Sequence, residues 1–168
     1  MRPSGEGASG IVLIGFMGTG KTVVGQRLAG AMGVPFVDTD ALIEAKTNTS
    51  IPLLFKTRGE NSFREIEKQV IQSLVDGEPR VIATGGGAVL DPDNFEALRC
   101  LGTIVHLSAP ASEIFARTGG NTVARPLLAG DDPLERIQAL QRERAPVYER
   151  ADYQIDTSRH TIDETVGI

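Results

Sequence analysis

Several features that mark common protein classes are scarce or missing in this chain of 168 residues. It has one cysteine, so no intramolecular disulfide can form and an oxidising compartment is not indicated. No stretch approaches the roughly 20 apolar residues of a membrane span, and residues 1–7 lack the apolar core of a signal peptide. We therefore expect a cytoplasmic protein without a membrane partner, in which Cys100 is a small buried residue rather than a nucleophile.

Basic charge is also too scarce for a typical nucleic-acid-binding protein. Seventeen lysines and arginines stand against 22 aspartates and glutamates, which gives a formal net charge of −5 at pH 7, whereas a duplex-binding surface needs the opposite sign. The composition is otherwise that of an ordinary globular domain. We expect one domain over residues 1–168, a monomer, and no nucleic-acid partner.

Short apolar runs alternate with helical patterns along the whole chain. Five runs, most of them apolar on both faces as buried parallel strands are, predict strands at Ile11–Ile14, Pro35–Asp38, Arg80–Thr84, Thr103–Leu107 and Tyr153–Asp156. Helices are predicted between them, most clearly from the apolar stripe of Phe63, Ile66, Val70 and Leu74. This alternation predicts an α/β fold with a parallel sheet covered on both faces and ligands at the carboxyl ends of the strands.

The segment Gly15-Phe-Met-Gly-Thr-Gly-Lys21-Thr22 follows the first strand and opens the first helix, which is the context of a phosphate-binding loop. Its glycines let backbone N–H groups turn toward phosphate oxygens, and the helix N-terminus adds positive potential. Lys21 can reach the terminal phosphates and Thr22 can offer a hydroxyl to Mg²⁺. An ordinary glycine turn is the alternative. The predicted nucleotide contacts in this segment are Gly18, Thr19, Gly20, Lys21, Thr22 and Val23.

Two carboxylates, Asp38 and Asp40, end the second predicted strand. One can point at a metal and the other at a bound substrate, since a hydroxyl nucleophile needs a proton acceptor. Helix capping is an equal alternative for either, and one residue could do both. The chain lacks the Asn-Lys-x-Asp motif that reads guanine, so a GTPase is not indicated.

Glycines and arginines supply the remaining candidates. Three consecutive glycines follow the third strand and would let a ligand touch the backbone, with a flexible turn as the alternative. Residues 118–130 are a long stretch without periodicity, which predicts a lid over a site, with a disordered segment as the alternative. Arg64 is singled out because Glu67, one turn on, can hold its guanidinium. The other candidate arginines, any of which could be plain surface charge, are Arg58, Arg117, Arg125 and Arg144.

In order and approximate spacing, these motifs resemble those of shikimate kinase. The set comprises Gly15–Thr22, Asp38-Thr-Asp40, Phe63-Arg64-x-x-Glu67, Gly85–Gly87, Arg125-Pro-Leu-Leu and Arg144-Ala-Pro-Val-Tyr148. The resemblance implies a P-loop NTPase fold of the nucleoside monophosphate kinase type, with a five-stranded parallel sheet, a lid at about 118–130 and a substrate-binding helical segment at about 39–75. It also implies ATP- and Mg²⁺-dependent phosphorylation of the 3-hydroxyl of shikimate, in the route to chorismate and the aromatic amino acids.

The resemblance further implies a role for each motif residue. On the nucleotide side, it implies that Lys21 and the loop amides hold ATP phosphates. Thr22 would bind Mg²⁺ directly, and Asp38 would hold it through water. Arg125 in the lid would reach the transferring phosphoryl group, and Arg117 and Arg159 would line the adenine. On the substrate side, Asp40 accepts the proton of the 3-hydroxyl, Phe63 flanks the ring, and Arg64 and Arg144 grip the carboxylate together with Gly86 and Gly87, beside Gly85.

Two other functions fit parts of the pattern. A small-metabolite kinase of the same fold, such as a gluconate kinase, would also use paired arginines on a carboxylate. A nucleotide-binding module without catalysis would keep the loop, but it has no use for an acceptor-side carboxylate such as Asp40. The complete motif set therefore favours shikimate as substrate.

Overall fold

The structure is a computed structural model that describes residues 10–75, 77–119 and 132–168. Its strands are β1 (Gly10–Ile14), β2 (Phe36–Asp38), β3 (Val81–Ala83), β4 (Gly102–Ser108) and β5 (Tyr153–Asp156). The helices in these ranges are α1 (Lys21–Met32), α2 (Thr39–Thr47), α3 (Ile51–Gln72), α4 (Pro92–Leu101), α5 (Ala111–Thr118), α6 (Pro133–Tyr148) and α7 (Ile162–Gly167). A short 3₁₀ turn occupies Ala88–Leu90.

The five strands form one parallel sheet in the order β2-β3-β1-β4-β5. β1 is central, with Ile11 paired to Val81 on one side and to Thr103 on the other. Because side chains alternate along a strand, Val12 and Ile14 lie in the core on one face of the sheet and Leu13 in the core on the other. Helices therefore cover both faces, as the sequence predicts.

Parallel strands bring all their carboxyl ends to one edge of the sheet. There β1 leads into the Gly15–Thr22 loop, β2 into Asp38 and α2, and β3 into Gly85–Gly87. The helix α3 is broken at Gly59, whose φ of 79° and ψ of 170° are not helical. Glycine tolerates this conformation without a side-chain clash. The break gives the two halves of α3 different directions beside that edge.

The predicted fold class is confirmed. Asp132 caps α6 and Pro133 follows it, and Thr161 and Glu164 form the capping box that opens α7. The prediction for Cys100 is wrong, because this residue is exposed. The buried residues of α4 are Asn94, Phe95 and Leu98, and Cys100 lies off that face. Within the described ranges, every helix is too short or too polar to cross a membrane.

Candidate active site

The Gly15–Thr22 loop is shaped by glycines in left-handed or otherwise positive-φ conformations. Gly15, Gly18 and Gly20 have φ values of 143°, 76° and 92°, which residues with a Cβ rarely adopt. Lys21, the first residue of α1, is buried, and its Nζ donates hydrogen bonds of 2.8 Å to the carbonyls of Gly15 and Phe16. The loop thus places an ammonium group over its own backbone at a helix N-terminus, a suitable position for anionic phosphates.

Asp38 caps a helix with one carboxylate oxygen and faces Thr22 with the other, an arrangement compatible with both roles that the sequence left open. Its Oδ1 caps α2 by accepting from the backbone N–H groups of Asp40 and Ala41, at 2.9 and 3.3 Å. Its Oδ2 accepts a 2.9 Å hydrogen bond from the Thr22 hydroxyl. A hydroxyl and a carboxylate beside a phosphate-binding loop are hard oxygen ligands of the kind that Mg²⁺ prefers, and Mg²⁺ sites commonly take few ligands from the protein. Thr22 and Asp38 therefore fit a magnesium site.

Next to the loop is a cavity of about 330 Å³, which we call the β3 cavity because it opens at the carboxyl end of β3. This volume is at the small end of the range for ligand sites. Its polar and glycine lining residues are Asp40, Glu44, Arg64, Glu67, Gly85, Gly86, Gly87 and Arg144. Its apolar lining residues, which we call the apolar wall, are Met17, Ile51, Pro52, Phe55 and Phe63.

Each glycine of the Gly85–Gly87 triplet faces a different polar group at close range. A Cβ on Gly85 would lie 2.7 Å from Asp40 Oδ1 and 3.0 Å from Glu67 Oε1. A Cβ on Gly86 would lie 3.6 Å from Arg144 Nη1, and one on Gly87 would lie 2.6 Å from Arg64 Nη2. Because of this close approach, and not because of an unusual φ, a Cβ at Gly85 or at Gly87 would force Asp40 or Arg64 to shift. The triplet brings two carboxylates and two guanidinium groups around one stretch of backbone.

The same backbone joins the β3 cavity to the phosphate-binding loop. A Cβ on Gly86 would lie 3.4 Å from the backbone nitrogen of Met17 and 3.7 Å from the carbonyl oxygen of Gly15. Met17 lines the cavity as well as belonging to the loop. A molecule in the cavity would therefore lie directly beside a molecule held by the loop.

Two of the carboxyl groups that line the β3 cavity, those of Asp40 and Glu67, are perturbed by burial. Burial raises the pKa of Asp40 to about 6, with a further upward contribution from the charge of Asp38. Burial also raises the pKa of Glu67, while Arg64 acts in the opposite direction. Asp40 Oδ1 and Glu67 Oε1 are buried and have no hydrogen-bond partner among the residues that the structure describes. Both oxygens can therefore accept hydrogen bonds from a molecule in the cavity.

The two arginines enter the β3 cavity from different helices. Arg64 on α3 donates from Nη1 to Glu67 Oε2 at 2.7 Å, which is the contact the sequence predicted. Arg144 on α6 is 3% exposed, and its Nη1 donates to the Gly86 carbonyl at 3.2 Å. Its Nε is buried and has no partner within the described part of the chain. The pair can receive an anion, because Arg64 and Arg144 both line the cavity and each guanidinium carries five N–H donors.

The two arginines predicted to lie near an adenine differ in how firmly their side chains are held. Arg117 is fixed, since it donates to the Gly18 carbonyl at 3.4 Å and to the Thr157 hydroxyl and carbonyl at 3.0 and 3.1 Å. Thr157 in turn donates to the Thr19 carbonyl at 2.9 Å. Arg159 has a side chain that is 79% exposed and ion-paired with Asp156. Val23 is half exposed at the start of α1.

Some candidates lie elsewhere, and some site residues were not predicted. Arg125 and most of the predicted lid at 118–130 fall outside the described residues. Arg58 is exposed on α3 and does not line the β3 cavity. Ile51 and Phe55 of the apolar wall were not predicted, although their spacing of four residues is a helical signal. No role of their own was predicted for Thr157 and Tyr148.

A phosphate-binding loop between β1 and α1, beside a cavity with a buried carboxylate, defines a P-loop kinase of the nucleoside monophosphate kinase type on a 2-3-1-4-5 sheet. The family profile of shikimate kinase matches residues 17–167. A shikimate kinase from Mycobacterium avium is 49% identical over 149 residues, which are 88% of this chain and 84% of that protein. This chain belongs to the shikimate kinase family.

Solved structures agree with this assignment. A shikimate kinase from Acinetobacter baumannii, determined in complex with shikimate, aligns with a TM-score of 0.90 and 37% identity over 95% of this chain and 89% of that one. A gluconokinase from Sinorhizobium meliloti aligns with a TM-score of 0.64 at 22% identity, over 95% of this chain and 87% of that one. At that identity the alignment shows that the gluconokinase and this chain share a fold. It gives no information about the substrate of this chain.

Proposed function

We propose that this protein transfers the terminal phosphoryl group of ATP to the 3-hydroxyl of shikimate, giving ADP and shikimate 3-phosphate. The observation that carries this assignment is the Gly85–Gly87 triplet, which gathers Asp40, Arg64 and Arg144 beside the phosphate-binding loop. A carboxylate acceptor, two guanidinium groups and an adjacent phosphate site are what an acid with a reacting hydroxyl requires. The reaction belongs to the shikimate pathway of aromatic amino acid biosynthesis.

On the nucleotide side, Lys21 and the loop amides hold the phosphates of ATP, and Thr22 and Asp38 hold Mg²⁺. Bound Mg²⁺ supplies charge neutralisation to the phosphate oxygens. Lys21 now donates to two loop carbonyls, so it exchanges these partners for phosphate oxygens when ATP binds. Arg117 fixes Thr157 against the loop and forms one side of the adenine site, with Arg159 at its exposed edge. Arg125 acts on the transferring phosphoryl group from the lid.

On the substrate side, Asp40 accepts the proton of the 3-hydroxyl while the oxygen of that hydroxyl forms its bond to phosphorus. The bond from phosphorus to the bridging oxygen of ADP breaks in the same transfer. Arg64 and Arg144, together with the backbone of the glycine triplet, hold the substrate carboxylate. The position of Arg64 is fixed by its ion pair with Glu67. These contacts place one hydroxyl of the substrate at Asp40.

The apolar wall of the β3 cavity favours shikimate over gluconate. Phe63 is buried and packs against Phe55 with ring centroids 4.7 Å apart and the ring planes tilted by 40°, so together they form an apolar surface. A cyclohexene ring can bury one face against such a surface, whereas an open-chain polyol would lose hydrogen bonds to water there. The carboxylate alone does not separate the two acids, but this wall does.

The test is an assay of ADP release with Mg²⁺-ATP and one of three acceptors, namely shikimate, gluconate or water. We expect shikimate to support turnover at least about a hundredfold faster than gluconate or water. A ³¹P spectrum of the product should show one new phosphate monoester per ADP formed. Equal rates with gluconate and shikimate would contradict the assignment of shikimate as the preferred substrate. ADP release at the same rate without any acceptor would exclude a metabolite kinase.

A further inference from the structure

Two stacked aromatic rings lie behind the wall of the β3 cavity. His106 is on β4, where its neighbours in the sheet are Ile14 of β1 and Gln154 of β5. Tyr148 is the last residue of α6. Their ring centroids are 4.5 Å apart with an angle of 21° between the planes, and both residues are buried. Burial, with the nearby charge of Lys21, lowers the pKa of His106 to about 4, so the imidazole is neutral at neutral pH.

The hydroxyl of Tyr148 is directed into the glycine triplet. It donates a 2.8 Å hydrogen bond to the carbonyl of Gly86, which also accepts the 3.2 Å hydrogen bond from Arg144 Nη1. Arg144 and Tyr148 are four residues apart on α6, so the same face of one helix supplies both donors. Gly86 has no side chain that could anchor it, and its carbonyl is therefore held by these two bonds.

Empty space beside the two rings makes the hydrogen bond of the Tyr148 hydroxyl important, because that bond helps to fix the position of the tyrosine ring. A second cavity, of about 150 Å³, is lined by His106, Tyr148 and Phe16 among others, and it does not include the glycine triplet. Tyr148 lines this second cavity and does not line the β3 cavity. Packing holds the ring on the side of His106, while the second cavity leaves room for the ring to tilt if the hydroxyl bond is lost.

We propose that Tyr148 is a positioning residue for the carboxylate-binding site: its hydroxyl holds the Gly86 carbonyl so that Arg144 can present its guanidinium to the substrate. This inference rests on the proposed function. A buried carbonyl seeks donors, so without the Tyr148 hydroxyl the Gly86 carbonyl competes with the substrate for the donors of Arg144. His106 supports the ring by stacking and makes no contact with the substrate itself.

The test compares Tyr148→Phe with the matched control Tyr153→Phe, since Tyr153 is a 66% exposed residue on β5. Calorimetric titration with shikimate should give a dissociation constant about tenfold higher for Tyr148→Phe than for the parent protein, with the control unchanged. KM for shikimate should rise by the same factor, while kcat and KM for ATP stay within about twofold. An unchanged dissociation constant in Tyr148→Phe would overturn the proposal.

A double-mutant cycle separates positioning from general loosening of the fold. In an Arg144→Lys background, Tyr148→Phe should raise the dissociation constant less than twofold, because the group that it positions is already altered. A full tenfold effect in that background would contradict the positioning role. Failure of the proposed function has a different signature: the parent protein would bind shikimate without transferring phosphate, and the affinity ratios would still decide the role of Tyr148. A parent protein that does not bind shikimate overturns both.

Discussion

The phosphate-binding loop and the β3 cavity share a boundary at Gly86 and Met17, yet their buried polar atoms differ in how they are satisfied. In the loop, the Thr19 hydroxyl donates to the Phe16 carbonyl at 2.8 Å and Lys21 donates to two carbonyls. In the β3 cavity, Asp40 Oδ1, Glu67 Oε1 and Arg144 Nε are buried without partners among the described residues. The buried side chains of the loop are thus satisfied as folded, whereas those of the cavity keep atoms that a ligand can satisfy.

This difference distinguishes two kinds of buried polar group, those that are satisfied within the fold and those that are not. Satisfied groups stabilise the fold and also shape a site, so their removal should reduce both stability and function. Unsatisfied buried groups destabilise the fold and exist for the ligand, so their removal should reduce function while raising stability. The four predictions that follow test this distinction, in order of decreasing expected effect.

Lys21→Ala should have the largest effect, because it removes both the ammonium group at the phosphate site and two hydrogen bonds within the loop. We expect turnover to fall by roughly three orders of magnitude and the melting temperature to fall as well. The control is Lys56→Ala, which removes an exposed lysine on α3 and should change neither quantity. Turnover within tenfold of the parent protein would remove Lys21 from the phosphate site.

Asp40→Asn should lower turnover by roughly two to three orders of magnitude and raise stability at pH 8. The folded-state pKa of Asp40 is raised from 3.8 to about 6, so above pH 6 folding has to bury an ionised carboxylate that the unfolded chain leaves in water. Asparagine avoids this penalty, and we expect a gain of about 1 kcal/mol in the free energy of unfolding.

The pH dependence of that gain is an internal control. At pH 4 the carboxyl group is protonated in the folded state and only about half ionised in the unfolded state, so the difference between aspartate and asparagine should be much smaller there than at pH 8. Chemical denaturation at pH 8 and at pH 4 measures both values. A loss of stability at pH 8 would contradict the view that Asp40 is a destabilising group kept for function.

Arg144→Lys keeps the charge but loses the planar guanidinium, so it should raise KM for shikimate by roughly tenfold and leave KM for ATP unchanged. The equivalent change at the exposed Arg58, Arg58→Lys, is the control. A methyl ester of shikimate lacks the carboxylate charge and should be a poor substrate of the parent protein. If the ester and the acid react equally well, the arginines do not bind the carboxylate.

Thr19→Val should have the smallest effect. Thr19 is buried, and the substitution removes only its hydrogen bond to the Phe16 carbonyl. We expect the free energy of unfolding to fall by about 1 kcal/mol and the affinity for shikimate to stay unchanged. Thr19→Ser keeps the hydroxyl and should recover part of that loss. A more stable Thr19→Val variant would remove the distinction between the loop and the cavity.

The phosphate-binding loop and the β3 cavity also differ in how much of their structure could be predicted from the sequence. The phosphate-binding loop is one contiguous motif, and its glycines, lysine and threonine are read directly because local backbone geometry requires them. The β3 cavity is assembled from β3 and from helices that begin at residues 39, 51 and 133, so its geometry exists only after folding. Sequence could identify Arg64 and Glu67 as a pair because they lie on one helical turn.

What sequence could not supply was contact between distant segments. Tyr148 and Gly86 are 62 residues apart in the sequence, and no periodic pattern predicts the hydrogen bond between them. The bond from Thr157 to Thr19 spans 138 residues. The exposure of Cys100 was mispredicted for a related reason, since burial depends on which face of α4 meets the sheet and an apolar neighbourhood in sequence does not determine that face.

The central claim is that the unsatisfied groups of the β3 cavity are the binding site of shikimate. A crystal structure with shikimate and a non-hydrolysable ATP analogue tests it most directly. We predict the carboxylate of shikimate within hydrogen-bond distance of both Arg64 and Arg144, its 3-hydroxyl on Asp40, and the phosphates of the analogue on Lys21. Shikimate bound outside the β3 cavity, or inside it with the carboxylate away from both arginines, would contradict the account.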